Sequence, residues 1–250
     1  MKKVMAAALA GLILLSACSK IEEPVIRRRS NADVRADVIE KQKSSLDPSI
    51  YPEDLIKLYD KNPEARDFVL DFPKECGRKH NIDLDQCVCD EIPHLLQWDK
   101  RWGYESYNGN YFALTGCGPT CLSMVTIYLT GDSSYTPLWM AEFLDSHGYS
   151  VEGVGTAWSI FDDGIGSVGL YGEKVDNSIE DIEKYLGAGI PMIASMGPGD
   201  FTQHGHFVVF TSCKDGRIMV LDPNSNERTR EWDYDELEDQ IAGVWAMTIR

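Results

Sequence analysis

The sequence predicts an α+β fold in which helices precede an antiparallel sheet. Two observations lead to this prediction. Apolar residues recur at helical spacing in the earlier part of the 250-residue chain, and the last part contains runs of branched and aromatic residues that are typical of strands. A block of helices followed by a block of strands favours α+β over an alternating α/β architecture.

The N-terminus has the pattern of an export signal. Two lysines precede an apolar run from Val4 to Leu15, which is too short to span a bilayer. The Leu-Ser-Ala-Cys sequence that ends at Cys18 resembles a bacterial lipobox, which implies that residues 1–17 are a signal peptide and that Cys18 is diacylated. An ordinary secretory signal is the alternative. Both predict export, and the lipobox predicts a lipid-anchored, extracytoplasmic protein of the bacterial cell envelope.

The charge of the chain excludes some partners. The sequence has 24 Lys and Arg against 40 Asp and Glu, a formal net charge of −16. Removal of the signal peptide takes away two lysines and leaves a net charge of −18. Nucleic acid and anionic lipid would repel such a surface, so we expect no nucleic-acid partner and membrane attachment only through acyl chains.

Composition divides the predicted mature chain into three parts. Residues 18–47 are polar, have no sustained apolar face and are predicted to be a tether. Residues 48–90 begin with two stretches of helical periodicity separated at Pro63, and they are predicted to form a structural helical segment. This segment either covers the main domain or packs as a separate lobe. Residues 91–250 are predicted to be the catalytic domain.

Capping and stop signals delimit the elements of the predicted catalytic domain. The predicted helices run from Cys117 to a stop at Gly131, from Thr136-Pro137 to His147, from a Thr156 cap through Asp162, and from a Ser178 capping box to Leu186. The predicted strands are Met192–Met196, Phe207–Ser212, Ile218–Leu221 and Val244–Ile249.

Cys117 is the first candidate for a catalytic residue. It lies between two glycines and shortly before Pro119, at the predicted start of an apolar helix. Proline suits the first helical turn, and the unpaired N–H groups and dipole of a helix N-terminus favour a thiolate there. The glycines are expected to leave room for a substrate. The alternative is a small, buried and unreactive cysteine, which is common in proteins.

A predicted hairpin provides a histidine and a carboxylate. His206 opens one predicted strand, and Asp222 closes the next. A three-residue loop at Lys214–Gly216 would make the two residues diagonal neighbours on one face of the sheet. A two-residue turn at Asp215-Gly216 would put them on opposite faces, so the prediction depends on register. Taken singly, each also has an ordinary interpretation as a core or turn residue.

Together the three residues have the chemistry of a cysteine nucleophile system. His206 would accept the proton of Cys117 and later protonate a leaving amine, while Asp222 would fix the tautomer of the imidazole. His204 competes for the role of base. This chemistry needs no metal or organic cofactor.

The remaining cysteines leave alternatives open. Export permits a disulfide such as Cys76 to Cys87, but spacing does not fix the pairing. A zinc site that adds His80 and Cys89 is a further alternative, although its spacing matches no common zinc module. Cys121 and Cys213 complete the set of unassigned thiols.

A family resemblance rests on four groups of motif residues. They are Gln97-x-Asp99-x-Arg101-Trp102-Gly103, Gly116-Cys117-Gly118-Pro119-Thr120, Gly205-His206-Phe207-Val208-Val209 and Asp222-Pro223-Asn224. The set resembles the papain-like cysteine peptidases related to the double-glycine leader peptidases, family thirty-nine of the cysteine peptidases. The resemblance implies a papain-like fold, Cys117 as nucleophile, His206 as base and Asp222 as the residue that orients it.

The resemblance also implies a glutamine in the oxyanion hole, beside the backbone N–H of the nucleophile. Gln97 is the candidate. The leader peptidases carry this glutamine six residues before the cysteine, and that position is Tyr111 in this chain.

The predicted function is that of an exported cysteine peptidase. It would hydrolyse an amide bond of a peptide or protein through an acyl-thioester on Cys117, as a monomer and without a cofactor. One alternative is transfer of the same acyl group to an amine, which the same residues could perform if water were excluded. Another is a surface lipoprotein that binds peptide or cell-wall material without catalysis.

Overall fold

The structure is a computed structural model that describes residues 30–153 and 155–250. The predicted signal peptide, residues 1–17, and the predicted lipidation site, Cys18, therefore lie outside the described residues. The chain divides into two units between Gln42 and Lys43. Within the described ranges, no helix is long and apolar enough to cross a membrane.

The helices follow one another along most of the chain. In order they are α1 Asn31–Lys43, α2 Glu53–Lys61, α3 Arg66–Leu70, α4 Phe72–Glu75, α5 Phe112–Thr115, α6 Cys117–Thr130, α7 Pro137–Ser146, α8 Ile179–Gly187 and α9 Tyr234–Leu237. α6 and α7 occupy the ranges predicted for them, and α6 ends at Gly131, whose φ of 69° suits a residue without a side chain.

The strands form one large sheet and two short hairpins. In order they are β1 Ser106–Tyr107, β2 Asn110–Tyr111, β3 Ser150–Val151, β4 Gly155–Thr156, β5 Leu170–Val175, β6 Met192–Met196, β7 His206–Lys214, β8 Arg217–Asp222, β9 Ser225–Asp233 and β10 Ile241–Ile249. The large sheet has the order β5-β10-β6-β7-β8-β9, and each neighbouring pair is antiparallel. The predicted antiparallel sheet is confirmed.

Two apolar cores cover the two faces of this sheet. On one face, Phe207 and Val209 of β7 pack in a cluster with buried residues of α6 and α7. On the other face, Val208 and Phe210 pack in a cluster with residues of α8. α6 is buried from Gly118 to Ile127, because it lies between the sheet and α7. A helix that is apolar on all sides belongs in such an interior position.

The helices α2 to α4 pack against the catalytic part of the chain. Their buried residues, among them Leu55, Tyr59 and Phe68, form one cluster with Tyr104 and Ala113. The ring of Phe68 stacks on Tyr104, with 4.1 Å between centroids. Of the two arrangements expected for this segment, the structure therefore has the one in which it covers the main domain.

Some local predictions are wrong. Thr156 does not cap a helix: it lies in β4, and its hydroxyl is 2.9 Å from that of Tyr107. The helical turns that follow begin only at Ile160. Periodicity also missed α1, β5 and β9. These elements carry polar, exposed residues over much of their length, so they lack the apolar pattern by which helices and strands are recognised.

Candidate active site

Cys117 is the first residue of α6, and close packing fixes the glycines on either side of it. A side chain at Gly116 would put a Cβ atom 2.2 Å from the ring of Phe112, and one at Gly118 would put it 2.2 Å from Oγ1 of Thr156. Both distances are far below a van der Waals contact. The glycines are therefore required for packing around Cys117, and their expected role of leaving room for a substrate stays a prediction.

His206 and Asp222 lie at the same end of neighbouring strands, as the first residue of β7 and the last residue of β8. Nε2 of His206 is 2.7 Å from Oδ1 of Asp222, and both side chains are buried. The thiol of Cys117 lines the same cavity as this imidazole and interacts with it. Because Asp222 occupies Nε2, Nδ1 is the ring nitrogen left for the thiol. The structure thus brings Cys117, His206 and Asp222 together.

The register that unites them arises in a way the sequence does not predict. The turn contains two residues, Asp215 and Gly216, with φ of 53° and 76°, and pairs Lys214 with Arg217. This turn alone would put the side chains of His206 and Asp222 on opposite faces of the sheet. A bulge between Phe210 and Ser212 shifts the pairing by one residue and restores the register at the site. Of the two turns considered from the sequence, the structure has the two-residue one, and the bulge is the reason why His206 and Asp222 are nevertheless neighbours.

Asp222 has two further partners. Its Oδ2 accepts a hydrogen bond from Nε of Arg228 at 2.6 Å, and its Oδ1 accepts one from the backbone N–H of Asn224 at 2.7 Å. Burial raises the pKa of Asp222, but His206, Arg228 and this N–H outweigh it and hold the pKa below its usual value. Asp222 is therefore an ionised, fully bonded carboxylate in a buried position.

The same charges favour an ion pair between the catalytic candidates. Burial raises the pKa of the Cys117 thiol, but His206 and the backbone N–H groups of Phe207 and Gly118 outweigh it and lower the pKa. Burial opposes protonation of His206, but Asp222 and Cys117 outweigh it and raise its pKa to about 10. Both shifts favour a thiolate facing an imidazolium over a neutral pair, and the thiolate is the reactive form of a cysteine.

Four other cysteines have the opposite property. Burial raises the pKa values of Cys76, Cys87, Cys121 and Cys213, in the case of Cys213 to about 11. In the parts of the chain that the structure describes, all six cysteines are free thiols. No cluster of metal-ligating side chains occurs within these parts either.

Two cavities lie on either side of the Cys117–His206 pair. The smaller, about 320 Å³, is lined by Cys117 and His206 together with Gly155, Ala157 and Trp158. The larger, about 600 Å³, is lined by residues just before each member of the pair and by α2. Segments 113–117 and 202–207 contribute to both cavities, so the two cavities adjoin the same part of the chain around Cys117 and His206.

Gln97 lines the larger cavity, whereas Cys117 lines the smaller. Nε2 of Gln97 donates a hydrogen bond to the carbonyl of Ala113 at 2.7 Å, and the buried Oε1 of Gln97 has no partner among the described residues. Its role in an oxyanion hole stays a prediction. His204 is exposed and lies before β7, in the loop expected for it.

His94 has a structural role that sequence reasoning misses. Its sequence neighbourhood predicts a surface or helix-end position, but its Nε2 is 2.7 Å from the carbonyl oxygen of Asp222 and 3.0 Å from the hydroxyl of Thr229. No local sequence signal indicates this contact, because its partners are distant in the chain.

Comparison with protein families gave one match. Residues 89–250 match the family described as the Peptidase C39 like family. A search of the curated proteins found no match.

Several solved structures are similar to this chain. The peptidase domain of Streptococcus ComA, a bifunctional ABC transporter involved in a quorum sensing pathway, is 14% identical with a TM-score of 0.44, covering 55% of this chain and 93% of that one. A double glycine motif protease from an AMS/PCAT transporter, solved with its leader peptide, is 18% identical (TM-score 0.41; 64% and 91% covered). A protein from Bacillus anthracis described as a C39-like peptidase is 15% identical (TM-score 0.41; 64% and 96% covered).

Proposed function

The chain belongs to the Peptidase C39 like family, and on that premise we propose that it is an exported cysteine peptidase that hydrolyses a peptide amide bond through an acyl-thioester on Cys117. The observation that carries this proposal is the position of Cys117 at one cavity with His206, whose imidazole is paired with the buried Asp222; this arrangement lowers the pKa of the thiol. Structural thiols have no need of such a partner, whereas a nucleophile does.

The proposed reaction uses the ion pair as it stands. Sγ of Cys117 forms a bond to the carbonyl carbon of the substrate, and the carbonyl oxygen becomes an oxyanion. As the C–N bond breaks, His206 gives its proton to the leaving amine and a thioester remains. Water then attacks the thioester while the neutral His206 takes a proton from it. The C–S bond breaks, the carboxylic acid product leaves, and the Cys117 thiolate beside the protonated His206 restores the ion pair. Asp222 keeps the imidazole oriented throughout.

The smaller cavity is suited to bind an apolar side chain of the substrate near the scissile bond. Its lining combines small residues, such as Gly155 and Ala157, with the indole of Trp158, which is 41% exposed. An indole at a cavity mouth gains free energy when an apolar group covers it. Substitution Trp158→Ala is expected to raise KM for substrates with an apolar residue at this position and to leave KM for glycine-containing analogues nearly unchanged.

The main proposal is tested by digestion of a peptide library with the mature chain, followed by mass spectrometry. We expect the same cleavage products from the wild type and from Cys121→Ala, and none from Cys117→Ala. Cys121→Ala is a matched control because it removes a buried thiol from the same helix. Persistent cleavage by Cys117→Ala, or no cleavage by the wild type, would contradict a peptidase that uses this nucleophile.

We also propose that the mature chain begins at a lipidated Cys18 and is held at the outer side of the membrane by its acyl chains. The lipobox-like sequence before Cys18 supports this. Mass spectrometry of the N-terminal peptide should find a diacylglyceryl modification on Cys18, and Cys18→Ser should abolish it. An unmodified N-terminus at another residue would contradict the proposal.

A further inference from the structure

The turn that follows Asp222 is held by a segment that lies before the region matched to the family. We propose that Glu64, in the connection between α2 and α3, is a positioning residue of the active site: it holds residues 225–227 and thereby keeps Asp222 and Arg228 in place against His206. These residues begin β9 directly after Pro223-Asn224, and they are called the turn 225–227 below. This inference rests on the proposed function, since it concerns the geometry of the same triad.

The carboxylate of Glu64 receives four hydrogen bonds from the turn. Its oxygens accept from the backbone N–H groups of Asn226 and Glu227 at 2.8 and 3.3 Å, from Nδ2 of Asn226 at 2.8 Å, and from the hydroxyl of Ser225. Successive backbone N–H groups that point at one carboxylate form a cradle for an anion. The donors belong to residues 89–250, which match the family, whereas the acceptor, Glu64, belongs to the helical segment before them.

Glu64 is ionised in this position. Burial raises its pKa, but the hydrogen bonds from Ser225, Asn226 and Glu227 outweigh it and hold the pKa below its usual value. Hydrogen bonds to a charged acceptor are stronger than neutral ones, so the four bonds fix the turn more firmly than a neutral contact would.

The turn 225–227 is itself bonded to the carboxylate of the triad. The hydroxyl of Ser225 accepts a hydrogen bond from the backbone N–H of Arg228 at 3.1 Å, and Arg228 donates to Oδ2 of Asp222. The hydroxyl of Thr229 donates to the carbonyl of Ser225 at 2.8 Å and accepts from the backbone N–H of Asp222 at 3.0 Å. Two chains of hydrogen bonds therefore lead from Glu64 to Asp222, both through Ser225.

The neighbouring Asn62 adds to the same support. Its Nδ2 donates to the carbonyl and the side-chain oxygen of Asn224, at 2.9 and 3.1 Å. Asn62 also lines the larger cavity, so its substitution would affect substrate contacts directly. Glu64 lines neither cavity, which makes it the cleaner residue to test: its loss should lower kcat and leave KM unchanged.

The charged state of Cys117 provides a readout that does not depend on a known substrate. The groups that act on this thiol are His206 and, through it, Asp222; Arg228 acts on Asp222, and the buried Cys121 and Tyr107 also face the thiol. None of these groups is altered by a substitution at Glu64. A change in the pH dependence of Cys117 alkylation would therefore report a displaced Asp222–His206 pair.

The test compares Glu64→Ala, Glu64→Gln and the wild type by alkylation of Cys117 with iodoacetamide across pH, in a Cys121→Ala background, with the alkylated peptide quantified by mass spectrometry. We expect the midpoint of alkylation to move to higher pH in Glu64→Ala, with kcat reduced about ten- to a hundredfold, the range found when residues that orient a reactive group are removed. Glu64→Gln keeps one acceptor oxygen and should be intermediate. KM should stay within about twofold, because substrate binding is untouched.

Asp60→Ala is the matched control. Asp60 is a carboxylate of the same segment, and its exposed ion pair with Lys43 at 2.8 Å has no connection to the turn. It should change neither alkylation nor kcat. If Glu64→Ala does not fold, as judged by circular dichroism, Glu64→Gln alone decides the question.

A folded Glu64 variant with a wild-type alkylation profile would overturn the inference, as would an equal effect of Asp60→Ala. If instead the wild type cleaves no peptide but the alkylation midpoint still moves in Glu64→Ala, the proposed peptidase function fails and the positioning role stands.

Discussion

Cys117 and Cys121 lie one turn apart on α6, yet their chemistry is opposite. Burial raises the pKa of both thiols. At Cys121 nothing offsets it, and the neighbouring Cys117 and Asp222 raise the pKa further. At Cys117 the imidazole of His206 and two backbone N–H groups reverse the effect. The comparison teaches that burial alone raises the pKa of a thiol, and that Cys117 differs from Cys121 through His206 of β7 and the N–H groups of Phe207 and Gly118.

The largest effect is expected from breaking that partnership. Cys117→Ala and His206→Ala should each lower turnover by about a thousandfold or more, and the double variant should be little worse than either, because the two residues act as a unit. Initial rates on a cleaved library peptide measure this. Full activity of a correctly folded His206→Ala would show that His206 is not what distinguishes the two cysteines.

Asp222→Asn is expected to reduce the rate about ten- to a thousandfold and to narrow its pH profile from both sides. Asp222 raises the pKa of His206 to about 10 against the effect of burial, so without the carboxylate the imidazolium is lost at lower pH and the alkaline limb moves down. A weaker imidazolium also stabilises the thiolate less, so the acidic limb moves up. A profile displaced in one direction only would contradict this coupling.

A smaller effect is expected from Arg228→Met. Arg228 is 29% exposed at its side chain and donates a charge-assisted hydrogen bond to Asp222, so its loss should lower the free energy of unfolding by about 1.5–3 kcal/mol. The rate should fall less than in Asp222→Asn, since the bond between Asp222 and His206 remains. Urea denaturation and initial rates measure the two quantities. Arg230→Met, which alters an exposed side chain of the same strand, is the control.

The smallest effect is expected from substitution of Cys121, the second of the two cysteines compared above. Cys121→Ala should lower the free energy of unfolding by about 1 kcal/mol and leave the rate unchanged, because it removes one buried sulfur from a packed core. Thermal denaturation and the library digest measure this. Loss of activity in a folded Cys121→Ala would contradict the assignment of the reactive thiol to Cys117.

The fold and the proximity of Cys117, His206 and Asp222 were predictable because their signals are local or belong to a motif. The papain-like α+β fold is confirmed by the family match and by the sheet that packs on α6. The helix start at Cys117, the stop at Gly131 and the cap at Ser178 each depend on residues close in sequence. Such signals can be recognised without knowledge of the tertiary structure.

The supporting residues were not predictable for the converse reason. Glu64, His94 and Arg228 act on Asp222 or on its turn, and nothing in their own neighbourhoods marks them. The bulge at Thr211 of β7 was not predictable from the sequence either, since threonine is an ordinary strand residue. From the sequence, the proximity of His206 to Asp222 required a three-residue loop. The structure reaches it with the two-residue turn and the bulge, and no sequence signal indicates the bulge.

The division of the triad between α6 and the β7–β8 hairpin has a consequence for the order of events during folding. The hairpin is local in sequence and can form early, whereas the contact between Cys117 and His206 requires helix and sheet to pack over a long sequence separation. Until that packing is complete, Cys117 is a thiol of ordinary acidity among several others. A lowered pKa of Cys117 is therefore expected to be a late product of folding, absent from a chain whose helix and sheet have not yet packed together.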